Sequence, residues 1–268
     1  MPETVPPEAT VRMVAHRPPP SLRGPVRRIV GFAEHTGAPQ HRRELPFAGV
    51  PLILSLGDPV RISSATGSGE FTSFVAGLHE IPVDTTHDGT LRCIQVDLDP
   101  LGAYQLLGLP MSELRDEVVP LDALAHPGWR DLGERLAELT SWPERFALLE
   151  RTLGRCAEDG PRADPEVRWA WRRLVGSHGG IPIAVLAAEV GWSRRHFAAR
   201  FQRQAGLGPK AAAQVLRFAR ARTLLTAPGA GSISDVAAAA GYADHSHLTR
   251  EFRRLADATP SQLLAESR

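Results

Sequence analysis

The chain is poor in the residues that carry covalent and metal chemistry. Its 268 residues include two cysteines, three methionines and two tyrosines. Cys93 and Cys156 stand far apart, without Cys-x-x-Cys spacing, which argues against a zinc ribbon or a disulfide framework and for two buried thiols. No apolar run approaches the roughly 18 to 20 residues a membrane span needs. The first 25 residues are proline-rich, where a leader would show a charged head followed by an apolar stretch. A cytoplasmic protein with no membrane partner is therefore expected. Neither a glycine-rich phosphate loop nor a Gly-x-Ser-x-Gly elbow is present, so nucleotide and serine-hydrolase mechanisms lack support. Lysine is almost missing too. Lys210 is the only one among 31 basic residues, a bias that a GC-rich genome produces as readily as nucleic-acid recognition does.

Charge is unevenly spread. From Pro165 onward there are 15 Lys and Arg against 7 Asp and Glu, leaving 16 against 23 before it, so a net charge of +1 hides a basic half beside an acidic one. The basic half also repeats itself. Ile183, Gly191 and Trp192 recur fifty residues later as Ile233, Gly241 and Tyr242, and after one inserted residue Phe197, Phe201 and Pro209 recur as Leu248, Phe252 and Pro260. Each copy reads as a short apolar helix, a glycine turn and a second helix, the layout of a helix-turn-helix. A glycine at the turn reaches the left-handed conformation without steric cost. Pro209 to Leu225, rich in Ala, Leu and Arg and free of internal Gly or Pro, predicts a joining helix of about 25 Å.

In the second copy Ser234 and Asp244 are the expected helix caps. Leu248 and Phe252, four apart, share an inward face, which leaves Ser246, Arg250 and Arg253 opposite and Thr249 at the edge. In the first copy Ser193 is the expected cap and Phe197 and Phe201 face inward. Arg195, Ala199 and Gln202 then point away, with Ala198 beside them. Two basic faces held about one turn of duplex apart suit successive major grooves. Arg195, Ala198, Gln202, Ser246, Thr249 and Arg250 are the expected base contacts, and Arg250 the strongest. Ser193, Arg200, Arg203, Ser234, His245, Arg253 and Arg254 are the expected phosphate contacts.

These residues carry a resemblance. Gly179 to Ala187 (GGIPIAVLA), Gly191 to Phe197 (GWSRRHF), Leu216 to Leu225 (LRFARARTLL) and Gly241 to Phe252 (GYADHSHLTREF), closed by Thr259-Pro260, resemble the DNA-binding domain of the AraC/XylS family of bacterial transcription regulators. The likeness covers about 95 residues. It implies sequence-specific binding of double-stranded DNA by one polypeptide carrying two helix-turn-helix units. Two positions depart from the pattern. Ala199 stands where an arginine is usual, which shifts base reading in the first unit to Arg195 and Gln202. Asp257 stands where glycine is usual, and Asp tolerates the left-handed conformation better than most residues.

The N-terminal half reads differently. Residues 1 to 25 suggest an extended arm. Arg28 to Phe32, Val50 to Leu56, Phe71 to Leu78, Ile81 to Thr86 and Leu91 to Leu98 are short apolar segments separated by turn residues, which favours a small antiparallel barrel or sandwich. Helical spacing begins near Leu101, and Trp129 to Leu139 and Glu144 to Cys156 suggest an amphipathic pair that either dimerises or caps the sheet. The expected fold is thus α+β, an N-terminal antiparallel β-barrel with a helical pair followed by an all-α domain. Residues 1–158 form a sensing and dimerising domain, 159–164 a linker with Gly160 and Pro161, and 165–268 the DNA-binding domain. Members of the resembled family often carry a cupin-like barrel that binds a small effector, and this half is compatible with that layout.

Metal and cofactor are not expected. His41, His79 and His87, with Glu70 or Glu80, lack the His-x-His and following Glu of a cupin metal site, and His245 and His247, two apart on a helix, point in different directions. No catalytic residue is singled out. A small-molecule effector, RNA polymerase and a second copy of the chain complete the expected partners. Two rival readings remain. One is a catalytic barrel tethered to a DNA-binding module, which requires His41, Glu70 or His79 to converge. The other is an effector-independent DNA-binding dimer, whose barrel would be filled by its own side chains.

Overall fold

The computed structural model describes residues 9–64 and 67–266, and residues 1–8 of the expected arm lie outside them. Among the described residues the N-terminal half forms ten strands: β1 Thr10–His16, β2 Val26–His35, β3 Gln40–Glu44, β4 Val50–Ser55, β5 Val60–Ser64, β6 Gly67–Phe71, β7 Ser73–Ala76, β8 Val83–His87, β9 Thr90–Leu98 and β10 Val118–Pro120. They make two antiparallel sheets, one in the order β1-β2-β9-β4-β7-β10 and one in the order β3-β8-β5-β6. The expected barrel does not close. Two separate hydrogen-bonded sheets face each other as an open sandwich. The proline-rich start is not a free arm throughout, since β1 pairs along its whole length with β2, from Thr10 opposite His35 to His16 opposite Ile29.

The six-stranded sheet is apolar on both faces, as alternation along β4 and β9 requires. Leu52, Leu54, Ile94 and Val96 point into the main core, which continues through the helices, whereas Ile53 and Cys93 face a smaller core with Val60, Ile62 and Phe74 of the sandwich interior. Both cysteines are free and buried, and burial pushes each thiol up to about 12. Helices α1 Pro100–Leu107, α2 Leu132–Glu138 and α3 Trp142–Asp159 follow. The helical pair, α2 and α3, covers the outer face of the sheet. Leu132, Leu136, Leu149 and Leu153 are fully buried, and a side chain on Gly31 of β2 would strike Trp142.

The remaining chain is helical: α4 Pro165–Gly176, α5 Ile183–Glu189, α6 Arg194–Ala205, α7 Pro209–Thr226, α8 Ile233–Ala239, α9 His245–Ala256 and α10 Pro260–Glu266. The helical half does not hang from a loose tether. Backbone N–H of Asp164, within the expected linker, donates to Gln204 Oε1 at 2.8 Å, and the Trp171 indole N–H donates to Asp99 Oδ2 at 2.9 Å. One continuous apolar core joins the outer face of the sheet, α1 and the two helix-turn-helix units.

Candidate functional site

Each half of the repeat is built by local signals. In the first unit the chain turns after α5 at Gly191, φ +71°, and Ser193 caps α6 by accepting from His196 N–H at 3.2 Å. The second unit turns at Gly241, φ +80°, and Asp244 caps α9 by accepting from His247 N–H at 2.7 Å. The cap of α8 is Ser232, not Ser234. Ser232 accepts from Asp235 N–H, and the Asp235 carboxylate accepts from Ser232 N–H at 2.9 Å, a reciprocal box. Ser234 lies exposed in the first turn. Asp257 ends α9 at φ 52°, in the left-handed region expected of it.

Phe197, Phe201, Leu248 and Phe252 are completely buried, and Phe218 of the joining helix α7 meets Phe252 edge-on at 4.8 Å. The opposite faces are open to solvent. Arg195, Arg203, Ser246, Arg250, Arg253 and His245 are exposed, and Ala198 and Gln202 half-exposed. Neither Arg195 nor Arg250 forms an ion pair among the described residues.

Three of the expected contacts are diverted. Thr249 is half-buried, and its hydroxyl oxygen is sealed from solvent without a partner among the described residues, so it faces inward from the edge of the row. Arg200 turns back on its own domain and grips Asp164 with two hydrogen bonds of 2.8 Å, with Gln204 donating to the same carboxylate at 2.7 Å. Arg254 reaches the N-terminal half and donates to Glu80 Oε1 at 2.9 Å, while Arg115 holds the other oxygen at 2.8 Å.

Behind α9 lies a buried carboxylate that sequence reasoning missed. Glu251 is 5% exposed. Burial pushes its carboxyl above the usual range, against the pull of Arg217 at 4.0 Å and of Arg254 and His247, each at 3.9 Å. Arg217 also lies over the Tyr242 ring. This cluster ties the joining helix, the turn and α9 together, which sets the angle at which Arg250 is presented. Its position beside buried Phe252 was the available signal.

In the sandwich, a cavity of about 210 Å³ lies between the sheets. Phe32, Ile53, Val60, Ile62, Phe74 and Leu91 give it apolar walls, with Arg42, Glu44, His79 and His87 among its polar members. His41 and Glu70 are not part of it. His41 sits 3.4 Å from Asp84 and Glu70 3.5 Å from Arg61, so the groups a catalytic reading needs together are held apart. No group of three or more potential metal ligands occurs among the described residues.

Residues 186–266 match a family profile described as a helix-turn-helix domain, and residues 14–120 match one described as a domain of unknown function (DUF6597). The carboxyl-terminal domain belongs to the AraC/XylS family. That domain is a DNA-binding helix-turn-helix domain of the AraC type. None of the curated proteins matches the chain. ToxT from Vibrio cholerae O395, solved with (E)-4-(8-methylnaphthalen-1-yl)but-3-enoic acid, is 12% identical over 96% of this chain and 98% of its own, with a TM-score of 0.50, and shares the two-part fold. The DNA-binding domain of AdpA, solved with a target DNA, is 29% identical over 39% of this chain and 94% of its own, with a TM-score of 0.35. The C-terminal domain of AraT from Geobacillus stearothermophilus is 19% identical over 40% of this chain and 89% of its own, with a TM-score of 0.37. No helix among the described residues is long and apolar enough to cross a membrane.

Proposed function

We propose that the chain reads a specific duplex sequence with both AraC-type units and that a small effector taken up by the N-terminal half controls it. Residues 1–158 act as the sensing domain, 159–164 as the connection and 165–268 as the DNA-binding domain. The observation that carries the DNA reading is that each recognition helix keeps an unpaired exposed arginine, Arg195 or Arg250, opposite a fully buried aromatic face. Arg195, Ala198, Gln202, Ser246 and Arg250 are the proposed base contacts. Ser193, Arg203, Ser234, His245 and Arg253 are the proposed phosphate contacts, with Arg254 joining them when it leaves Glu80. RNA polymerase and a second copy of the chain are the proposed protein partners, in the cytoplasm.

The cavity supports effector control over the effector-independent alternative, because a filled sandwich would leave no such space. The route from cavity to DNA is short. Glu44, on the cavity wall, interacts with Arg222 of α7, and Glu80, next to cavity-lining His79, holds Arg254 of α9. A random-duplex selection on the full chain is expected to enrich two short blocks separated by about 10 base pairs, one for each unit. Enrichment of nothing, or of a single block, contradicts the reading.

The phosphate assignments divide on salt. Arg203→Ala and Arg253→Ala are each expected to weaken all duplexes alike and to lower the slope of log affinity against log salt by about one. Arg200→Ala should leave that slope unchanged and cost about 1 kcal/mol of folding stability, because its partially exposed guanidinium is spent on Asp164. Fluorescence anisotropy across a salt series, with chemical denaturation alongside, separates the two behaviours.

A further inference from the structure

The cavity between the sheets contains two buried imidazoles, each with one ring nitrogen that makes no hydrogen bond among the described residues. His79 and His87 both line it, each is 8% exposed, and the Nε2 atom of each is buried without a hydrogen-bond partner among the described residues. Their Nδ1 atoms are committed in opposite senses. His79 Nδ1 faces the Gly77 carbonyl at 3.4 Å. A carbonyl only accepts, so Nδ1 carries the proton and Nε2 offers a lone pair. Burial lowers the His79 pKa against the pull of Asp116 and of the Gly77 and Glu44 backbone carbonyls, which favours the neutral ring. His87 Nδ1 accepts from Gly89 N–H at 3.3 Å, so the neutral ring carries its proton on Nε2. That nitrogen lies 3.3 Å from Glu34 Oε2 without hydrogen-bond geometry. The cavity wall therefore presents an acceptor at His79 Nε2 and, at His87 Nε2, a donor whose nearby Glu34 carboxylate is misaligned for a hydrogen bond.

The charges around it restrict what answers them. Arg42 is the cation lining the cavity, and it is already paired with Glu34. Glu44, Asp116 and Glu117 also line it, so a carboxylate entering there meets like charge and no uncommitted cation. An ammonium group gains little, because Glu44 is already faced by Arg42 and Arg222, Asp116 is paired with Arg115 and Glu117 is open to solvent, and it would surrender its hydration against walls of Phe32, Val60, Phe74 and Leu91. A hydroxyl both donates and accepts, and it is cheap to desolvate beside a charged group.

We propose that the cavity takes an uncharged, mostly apolar molecule bearing a hydroxyl group, held by His79 Nε2 as acceptor or His87 Nε2–H as donor. The proposal rests on the effector reading above and narrows it to a ligand class. Calorimetric titration of the full chain with para-butylphenol, para-butylbenzoate, para-butylbenzylamine and butylbenzene tests it, because the four probes share a hydrocarbon body and differ in the head group. The phenol is expected to bind about tenfold tighter than each of the other three, the worth of a satisfied hydrogen bond. In the variant His79→Phe/His87→Phe that advantage should vanish while butylbenzene binds as before. Tightest binding by the benzoate or the benzylamine overturns the ligand class and leaves effector binding standing. A phenol advantage that survives in the double variant overturns the two imidazoles as its source. Failure of all four to bind overturns the ligand class and the effector reading together, and the ranking on the unmodified chain decides the class even where the variant does not fold.

Discussion

Replacement of Arg250 by alanine is expected to cost about 1–3 kcal/mol of binding to the preferred duplex and to flatten the preference at one base pair, while the unfolding midpoint stays where it was. The loss falls on recognition alone because the side chain has no structural duty. It is exposed, forms no ion pair among the described residues, and projects opposite Leu248 and Phe252 on a helix whose other side is buried. Asp244 and Glu251, the acids close to it in sequence, are both engaged elsewhere, the first as the cap of α9 and the second inside the cluster with Arg217 and Arg254. A guanidinium left free in this way can grip the two acceptors of a guanine edge, which alanine cannot replace. Competition titrations against duplexes changed one base pair at a time supply the measurement. Uniform weakening across the whole set would make Arg250 a phosphate contact. Arg195→Ala should behave likewise in the first unit and relax a different position, because Ala199 leaves that unit no other exposed arginine along the middle of its helix.

The helical half was legible because its determinants are local. Gly191 and Gly241 adopt the positive φ that the turns demand, Ser193 and Asp244 cap as their type and place suggest, and Phe197–Phe201 and Leu248–Phe252 bury the face that a spacing of four predicts. The repeat made each reading a check on the other. What the local reading did not contain is also physical. Ser232 displaced Ser234 as the cap of α8 because Asp235, three residues on, can answer it reciprocally. Arg200 and Arg254 looked like phosphate ligands on α6 and α9, and were captured by Asp164 and Glu80. Glu80 lies 174 residues from Arg254 in the chain, and no local pattern announces such a pair.

The sandwich was less legible, since its strands are defined by partners far along the chain. β4, an almost continuous apolar run, and β9, in which apolar residues are interleaved with Arg92, Gln95 and Asp97, were readable as strands from composition. β3, with the sequence Gln-His-Arg-Arg-Glu, and β6, Gly-Ser-Gly-Glu-Phe, carry almost no apolar signal. They exist because β8 and β5 offer them a free edge. Closure into a barrel depends on strand tilt and stagger around the whole sheet, which a list of short segments does not contain. The cavity has the same origin. His79 and His87 look like turn histidines in sequence, and only the pairing of β8 with β3 and β5 brings the second of them into the space beside Phe32 and Phe74.

Phe252→Ala is expected to remove about 3–5 kcal/mol of folding stability, a large share of the roughly 5–15 kcal/mol that holds a domain together. Phe252 is fully buried and packs edge-on against Phe218 at 4.8 Å, so truncation forfeits its burial, the ring pair and the packing of α9 on the joining helix at once. Little can collapse into the space, because Leu248 and Leu255 on either side are themselves fully buried and held by the helix backbone. DNA affinity should fall with it, for a reason opposite to that of Arg250→Ala. The reading groups remain, but the surface that aims them is lost, so all duplexes weaken and stabilising conditions, such as lower temperature, restore binding with its original base preference. Urea unfolding read by the tryptophans, paired with titrations at two temperatures, separates the two. A midpoint shift worth less than about 1 kcal/mol would mean that α9 is not seated on α7 through this ring, and the account of how Arg250 is aimed would fall with it.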